Sequence, residues 1–178
     1  RGLDRVVAAR ARAGRPVLGI CGGYQMLGHR IFDGDAVESN RPQGADGLGL
    51  LPVDITFSRE KALGTPSGTW RGHEVQAYEI HHGRARVHDG ALTPEGDTGP
   101  FLDGLHRGAV FGTHWHGAFE NDGFRREFLR TVAQMSRPAW TPGTGPGFAA
   151  RREAMIDRVA DALEEHLDLR ALRRLAEI

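Results

Sequence analysis

The chain has 178 residues, of which 39% are hydrophobic, and this length is enough for one sizeable core. Basic and acidic residues both number 23, so the net charge is formally zero and excludes a basic stripe for binding nucleic acid. The single cysteine excludes an internal disulfide framework. With no signal-peptide pattern and no long apolar run, we expect a cytoplasmic protein without membrane partners.

The chain begins with the pattern helix, strand, sharp turn and helix. Apolar residues recur at helical spacing up to Gly14, and the run Val17–Ile20 predicts a strand buried on both faces. Cys21–Gly23 then predicts a turn, and a second helix begins at Tyr24. Because the sequence lacks an initiator methionine and opens inside a helical pattern, we expect it to be a fragment.

The middle of the chain predicts strands joined by long loops. The candidate strands contain short or alternating apolar runs and lie at Leu50–Phe57, Glu74–Ile80, Ala85–Val87 and Ala109–Thr113. Segments rich in Gly, Asp, Asn or Pro predict loops, and they lie at Phe32–Gly49 and Leu92–Gly104. Apolar residues after Asp122, a candidate N-cap, predict a helix that stops before Pro138.

The last part of the chain reads as a linker followed by helices. Residues 136–147 contain three prolines and three glycines, which is typical of a linker. The tail from Arg151 to Ile178 has apolar residues on one helical face and charges on the other, which predicts an amphipathic helix or helix pair. We therefore predict one α/β domain over residues 1–137 and a linker with helices over residues 138–178.

Cys21 has the sequence context of a nucleophile at a strand-to-helix turn. Two glycines follow it, so the chain can bend sharply and a substrate can approach the thiol closely. The helix N-terminus favours the thiolate and can hold an anionic oxygen. The alternative is a small buried cysteine at the end of a strand, but the glycines and a downstream histidine favour the nucleophile.

A thiol nucleophile needs a base, and His114 and His116 lie where the predicted strand Ala109–Thr113 ends. Their spacing puts both on one face if the strand continues, so one can face the thiol while the other supports it. The spacing does not choose between them. Zinc binding is the alternative, but no further residues complete the three or four ligands that zinc needs, and we predict no metal site.

A third segment places a carboxylate and two imidazoles, Glu79, His81 and His82, at the end of another predicted strand. These side chains either contribute to the same site or form a local hydrogen-bond network that closes the strand end. The residue pattern leaves both interpretations open.

Three motifs in this sequence resemble the glutaminase domain of the cobyric acid synthase family. They are Gly-Ile-Cys-Gly-Gly-Tyr-Gln-Met-Leu-Gly at 19–28, Tyr-Glu-Ile-His-His-Gly at 78–83 and Gly-Thr-His-Trp-His-Gly at 112–117. Segments 47–52, 60–64 and 121–126 continue the similarity. The resemblance implies a class I glutamine amidotransferase of the α/β class, with a flavodoxin-like sheet, flanking helices and N-terminal strands missing from this chain.

The resemblance also implies roles for particular residues. Cys21 is the position of the family nucleophile, which attacks the side-chain amide of glutamine, and His116 is the position of its base. Gly22 and Gly23 are the positions that line the oxyanion hole, and Gln25 is a position that contacts glutamine. Possible supporting residues are Glu79, His81 and His114.

In this family ammonia passes to a synthetase domain that uses ATP and Mg²⁺. That domain amidates the b, d, e and g carboxylates of adenosylcobyrinic acid a,c-diamide during cobalamin biosynthesis. This sequence contains no P-loop-like phosphate site, so we expect no cofactor in it and place ATP and Mg²⁺ in the missing synthetase domain. The expected partners are glutamine, that domain and, through it, the corrinoid.

The sequence departs from the usual class I pattern at one position, and two alternative functions remain. Ala118 stands where most class I enzymes have a glutamate two residues after the catalytic histidine, which leaves the orienting residue unidentified, with Glu79 and Glu120 as candidates. The alternatives are a glutaminase subunit that amidates a peptidoglycan precursor, the lipid II isoglutaminyl type, and a non-catalytic amidotransferase-like module. The match at 47–64 and 121–126 favours the cobalamin branch.

Overall fold

The computed structural model describes residues 2–92, 97–136 and 140–176. The chain separates into two compact units, Arg1–Pro142 and Gly143–Ile178. The predicted boundary between residues 137 and 138 lies outside the described residues, as do residues 93–96 of a predicted loop.

The helices of the first unit begin and end at residues that the sequence marks. They are α1 (Leu3–Arg12), α2 (Gly22–Leu27) and α3 (Asp122–Ser136), with one turn of 3-10 helix at Ala118–Glu120. Gly14 has a positive φ of 66° just after α1, a conformation that glycine adopts at little cost where a helix stops. The helix predicted from Asp122 to a point before Pro138 is confirmed.

Ten strands lie in the described part of the first unit. They are β1 (Val17–Ile20), β2 (Arg30–Asp33), β3 (Gln43–Asp46), β4 (Val53–Gly64), β5 (Ser67–Trp70), β6 (His73–Gln76), β7 (Glu79–Val87), β8 (Thr98–Phe101), β9 (Gly104–Arg107) and β10 (Val110–Thr113). They form sheets in the orders β1-β10-β9-β8, β3-β2-β4-β7 and β5-β6. The mixed α/β class is confirmed, with several sheets in place of one.

The first sheet brings two strand ends together. Strand β1 pairs with β10 in parallel, with Ile20 opposite Thr113, while β10-β9 and β9-β8 are antiparallel. The carboxyl ends of neighbouring parallel strands lie at one edge of a sheet, which is where α/β folds place their ligands. Cys21 and the segment after Thr113 leave the sheet at this edge.

The second sheet carries a long antiparallel pair, β4 with β7, whose register shifts between Phe57 and Ala62. The β5-β6 hairpin is inserted between these two strands in sequence. It contributes Trp70 and Val75 to a buried aromatic cluster with Phe101, Phe111, Trp115, Phe124 and Phe128. A second, more aliphatic cluster contains Tyr24, Leu27, Leu51, Val53, Ile55, Leu105 and Val110.

Several predicted elements need correction. The segments predicted as loops contain strands, β2 and β3 in the first and β8 in the second, because pairing partners elsewhere in the chain outweigh their poor strand composition. The single strand predicted at Glu74–Ile80 is two strands with a break at residues 77 and 78. Strand β1 is less buried than predicted, since Gly19 is its one buried residue and Ile20 is 37% exposed.

The second unit contains two helices, α4 (Phe148–His166) and α5 (Leu169–Leu175). The side chain of Asp168 caps α5 by accepting a hydrogen bond from the Ala171 N–H at 3.0 Å. In the described parts of both units, no helix combines the length and the apolar character that crossing a bilayer requires.

Candidate functional site

Cys21 has a strained backbone at the bend between β1 and α2. Its φ of 51° and ψ of −114° lie in a region that a residue with a side chain rarely adopts. Such a conformation costs about 1–3 kcal/mol, so it persists only where neighbouring bonds hold it. The Cys21 N–H donates to the Thr113 carbonyl at 2.8 Å, and the Cys21 carbonyl accepts from Gln25 N–H at 3.1 Å. These two bonds hold the bend from both sides.

The space over the bend is open. The Cys21 side chain is partly exposed, and a Cβ added at Gly22 or Gly23 would meet no atom within 4 Å. The first bond within α2 starts at the Gln25 N–H, so the N–H groups of Gly22 and Gly23 come before it and lack an intrahelical partner. A thiol at this position can attack a carbonyl group, and the neighbouring N–H donors can stabilise the oxyanion that forms.

Gln25 lies below this opening, between α2 and β7. It is 8% exposed, and a Cβ added at Gly83 would be 2.4 Å from its Nε2. Its side chain therefore packs closely on the Gly83 backbone. Its contact with glutamine stays a prediction.

His116 is three residues beyond Thr113, on the segment that leaves β10 beside Cys21. It is half-buried, and its Nε2 is buried without a hydrogen-bond partner among the residues that the structure describes. Its backbone forms an isolated antiparallel bridge with Tyr78. A base needs such an unpartnered ring nitrogen, and the Nε2 of His114 is likewise buried without a partner among the described residues.

His114 takes part in a different set of contacts. It is buried, its Nδ1 is 2.9 Å from Asp103 Oδ2, and its ring stacks on that of His81 with centroids 4.0 Å apart. His81 Nδ1 is 2.8 Å from the Gly83 carbonyl, and its Nε2 is 3.4 Å from Glu79 Oε2. The structure thus brings Glu79, His81 and His114 together in one network.

The other imidazole of the third motif, His82, faces away from this network. Its Nδ1 is 2.8 Å from the Ser58 carbonyl. Within residues 2–92, 97–136 and 140–176, no group of three or more His, Cys, Asp or Glu is arranged to hold a metal ion.

Asp103 is a residue of this region that the sequence interpretation missed. Its carboxylate accepts hydrogen bonds from the Thr113 hydroxyl, the His114 N–H and the His114 ring. Burial alone would raise the pKa of Asp103, but these bonds outweigh burial and hold its pKa below the usual range. The available signal was the Asp103-Gly104 pair, a turn dipeptide between two apolar residues, Phe101 and Leu105.

Tyr24 lies beneath the same carboxylate, with its ring edge-on to His114 at 4.8 Å. Its hydroxyl is buried and has no hydrogen-bond partner in the described part of the chain. Burial, and secondarily the negative charge of Asp103, raises the pKa of Tyr24 well above its usual range. Tyr24 therefore stays neutral and serves as packing under the two strand ends.

We expect Asp103→Asn to lower the free energy of unfolding at pH 7 by about 1.5–3 kcal/mol, the range for hydrogen bonds to a charged group. Because folding lowers the pKa of Asp103, its carboxylate stabilises the fold above the unfolded pKa of about 4. That stability is lost as the pH falls through the folded pKa. The difference between the variant and the wild type in urea unfolding should therefore shrink from pH 7 to pH 3.

Asp97→Asn is the matched control, because the Asp97 side chain is 70% exposed and its carboxylate is 3.9 Å from Arg107. We expect it to change the free energy of unfolding by less than about 0.5 kcal/mol. An Asp103 variant that is as stable as this control at pH 7 would contradict the assigned hydrogen bonds.

Comparison with known proteins gives one consistent result. The sequence model for the CobB/CobQ-like glutamine amidotransferase domain matches residues 1–124. A cobyric acid synthase of Streptomyces avermitilis is 52% identical over 177 residues, which is 99% of this chain and 33% of that protein. A cobyric acid synthase of Cutibacterium acnes is 50% identical over 169 residues, 94% of this chain and 34% of that protein.

A third similar protein, a cobyric acid synthase of Mycolicibacterium vanbaalenii, is 49% identical over 177 residues, 99% of this chain and 33% of that protein. The chain thus spans about a third of the length of the curated relatives it matches.

Proposed function

The chain belongs to the family of CobB/CobQ-like glutamine amidotransferase domains, and from that premise we propose that it hydrolyses glutamine through a thioester on Cys21, with His116 as the base. The family is one of enzymes. The observation that supports the proposal most is the strained backbone of Cys21 at an open strand-to-helix bend, beside the segment that carries His116. Strain at such a bend is typical of a nucleophile presented to a substrate.

The proposed reaction has two halves. His116 takes the thiol proton as the Cys21 sulfur attacks the side-chain carbonyl carbon of glutamine, and the N–H groups at the start of α2 hold the oxyanion. The C–N bond then breaks, His116 gives its proton to the departing nitrogen, and ammonia leaves a thioester. Water attacks the thioester, its proton passes through His116 to the sulfur, and glutamate is released.

We propose further that the ammonia serves amidation of adenosylcobyrinic acid a,c-diamide at its b, d, e and g carboxylates. The names of the relatives support this acceptor. The ATP and Mg²⁺ of that reaction are proposed to bind outside these 178 residues, and no step derived for Cys21 and His116 uses them. The acceptor is tested with glutamine that carries ¹⁵N in its side-chain amide, supplied with either a corrinoid or a lipid II acceptor. The product that gains the label shows whether the acceptor is the corrinoid or a peptidoglycan precursor.

The proposed nucleophile is tested with 6-diazo-5-oxo-L-norleucine, a glutamine analogue whose diazo carbon alkylates a reactive thiolate. In the natural full-length protein we expect one covalent addition at Cys21, located by peptide mass spectrometry and slowed by excess glutamine. A reactive thiolate at a helix N-terminus beside a base is the physical reason.

Cys21→Ser is the control for this labelling and should take up no reagent at residue 21. A non-catalytic module would leave Cys21 unlabelled in the wild type. That result, or labelling that glutamine does not slow, would contradict the proposal.

A further inference from the structure

The ring of Tyr78 lies nearly flat on the ring of His116. The two ring centroids are 5.0 Å apart and the ring planes differ by 12°. We infer that Tyr78 is the positioning residue that orients the His116 imidazole, an inference that rests on the proposed function of His116 as the base. It assigns the orienting role that Ala118, lacking a carboxylate, does not provide.

The backbone holds the two residues at a fixed separation. The Tyr78 N–H donates to the His116 carbonyl at 3.1 Å, and the His116 N–H donates to the Tyr78 carbonyl at 2.8 Å. A pair that exchanges both bonds fixes both Cα positions, but the imidazole can still rotate about its Cβ–Cγ bond, a torsion with broad minima. The remaining freedom of His116 is therefore the plane of its ring.

A flat partner removes that freedom. Among the described residues, the buried Nε2 of His116 has no hydrogen-bond partner, so no bond to that nitrogen fixes the plane of the ring. Glu79, one sequence candidate for that role, faces His81 instead. The Tyr78 ring restricts the imidazole to an offset parallel arrangement that aromatic pairs favour. It does so without using Nε2, which remains available for the proton.

The side chain of Asn121 fixes the same two segments from the other side. Its Oδ1 accepts from the Gln76 N–H at 3.0 Å, while its Nδ2 donates to the Gln76 carbonyl at 2.8 Å and to the Ala118 carbonyl at 2.9 Å. Gln76 lies two residues before Tyr78, and Ala118 lies two residues after His116. Asn121 therefore holds the Tyr78 and His116 segments in register.

Gly117 supplies the positive φ at which the chain turns after His116. Its φ is 72°, and a Cβ added there would lie 3.5 Å from both Cδ1 and Cε1 of Tyr78. The turn at Gly117 directs the chain away from β10 while the Tyr78 ring remains in contact with the histidine segment.

The test compares two variants in the natural full-length protein. Tyr78→Leu removes the flat ring and keeps an apolar side chain, whereas Tyr78→Phe keeps the ring and removes only the hydroxyl. We expect Tyr78→Leu to lower kcat for glutamine hydrolysis about tenfold, with KM for glutamine within about twofold of the wild type. We expect Tyr78→Phe to stay within about twofold of the wild type in kcat.

Phe32→Leu is the matched control, because Phe32 on β2 is as exposed as Tyr78, 49% in each case. It makes the same type of substitution outside the site and should leave kcat unchanged. Activity with added ammonia should be the same in all three variants, which separates loss of orientation from loss of folding.

Three results would overturn the inference. They are an unchanged kcat in Tyr78→Leu, a Tyr78→Phe variant as slow as Tyr78→Leu, and a loss of ammonia-dependent activity in parallel with glutamine hydrolysis. Labelling of Cys21 in the same variants separates these outcomes from failure of the proposed function. If the analogue labels Cys21 and kcat is unchanged, only the role of Tyr78 is rejected, whereas an unlabelled Cys21 in the wild type rejects the function itself.

Discussion

Replacing Cys21 with alanine is expected to abolish glutamine-dependent amidation in the natural full-length protein and to leave ammonia-dependent amidation intact. Loss of a covalent nucleophile removes the thioester route altogether, so the glutamine-dependent rate should fall about 10³-fold or more. In the proposed reaction the synthetase takes its nitrogen from ammonia, so an ammonium salt should restore product formation. The measurement is the initial rate of corrinoid amidation with glutamine and, separately, with ammonium chloride.

Cys21→Gly is a matched control for the strained backbone at this position. Alanine keeps a Cβ at a φ of 51°, whereas glycine adopts that angle at little cost. We expect the two variants to be equally inactive with glutamine, and Cys21→Gly to be no less stable than Cys21→Ala in thermal unfolding. Retained glutamine-dependent activity in either variant would exclude the thioester. Loss of both activities in both variants would exclude a division of labour between glutaminase and synthetase.

The local part of the site was predictable from sequence. The run Val17–Ile20, the turn at Cys21 and the helix that follows are set by neighbouring residues, and the structure has each of them in place. Apolar spacing after Asp122 likewise predicted α3 because a helix depends on contacts three and four residues apart. Such elements can be predicted from the residues within their own segment.

Contacts that join distant segments were not predictable in the same way. Asp103 bonds to Thr113 and His114, and its own segment was read as loop because its composition is poor in strand-forming residues. Strand β8 exists because Phe101 is buried in the aromatic cluster and β9 pairs with it, and neither fact is visible in residues 98–101 alone.

The partners of the two candidate histidines show the same limitation. Spacing placed His114 and His116 on one face of a strand and could not choose between them. The structure separates them by their contacts, His114 with Asp103 and His81, His116 with Tyr78. These contacts depend on how residues 78–83 pair across the fold, which periodicity within a segment does not encode.

A large effect on the free energy of unfolding is expected at the contact between β1 and α2, which supports the bend at Cys21. Replacing Gly19 with alanine should lower the free energy of unfolding by about 3 kcal/mol or more, at the upper end for overpacking. A Cβ at Gly19 would lie 2.6 Å from the carbonyl carbon of Gly23 and 2.6 Å from Leu27 Cδ1. Real Cβ atoms do not approach backbone so closely, so the helix would have to move.

Helix α2 cannot move without breaking other bonds. The Leu27 carbonyl accepts from the N–H groups of both Leu50 and Leu51 at 2.9 Å, and Leu51 is fully buried. Retreat of the helix would leave these buried groups unpaired, at a cost of about 1–3 kcal/mol for each unsatisfied group. The extra methyl group at Gly19 is therefore destabilising whether helix α2 moves or stays in place.

Gly22→Ala separates this steric effect from a general effect of adding a methyl group near the bend. A Cβ at Gly22 meets nothing within 4 Å, so the free energy of unfolding should change by less than about 0.5 kcal/mol. Both variants are compared with the wild type by urea unfolding. Equal stability of the Gly19 and Gly22 variants would mean that α2 does not pack on β1 at this distance. The support for the strained Cys21 backbone would then come from its hydrogen bonds to Thr113 and Gln25.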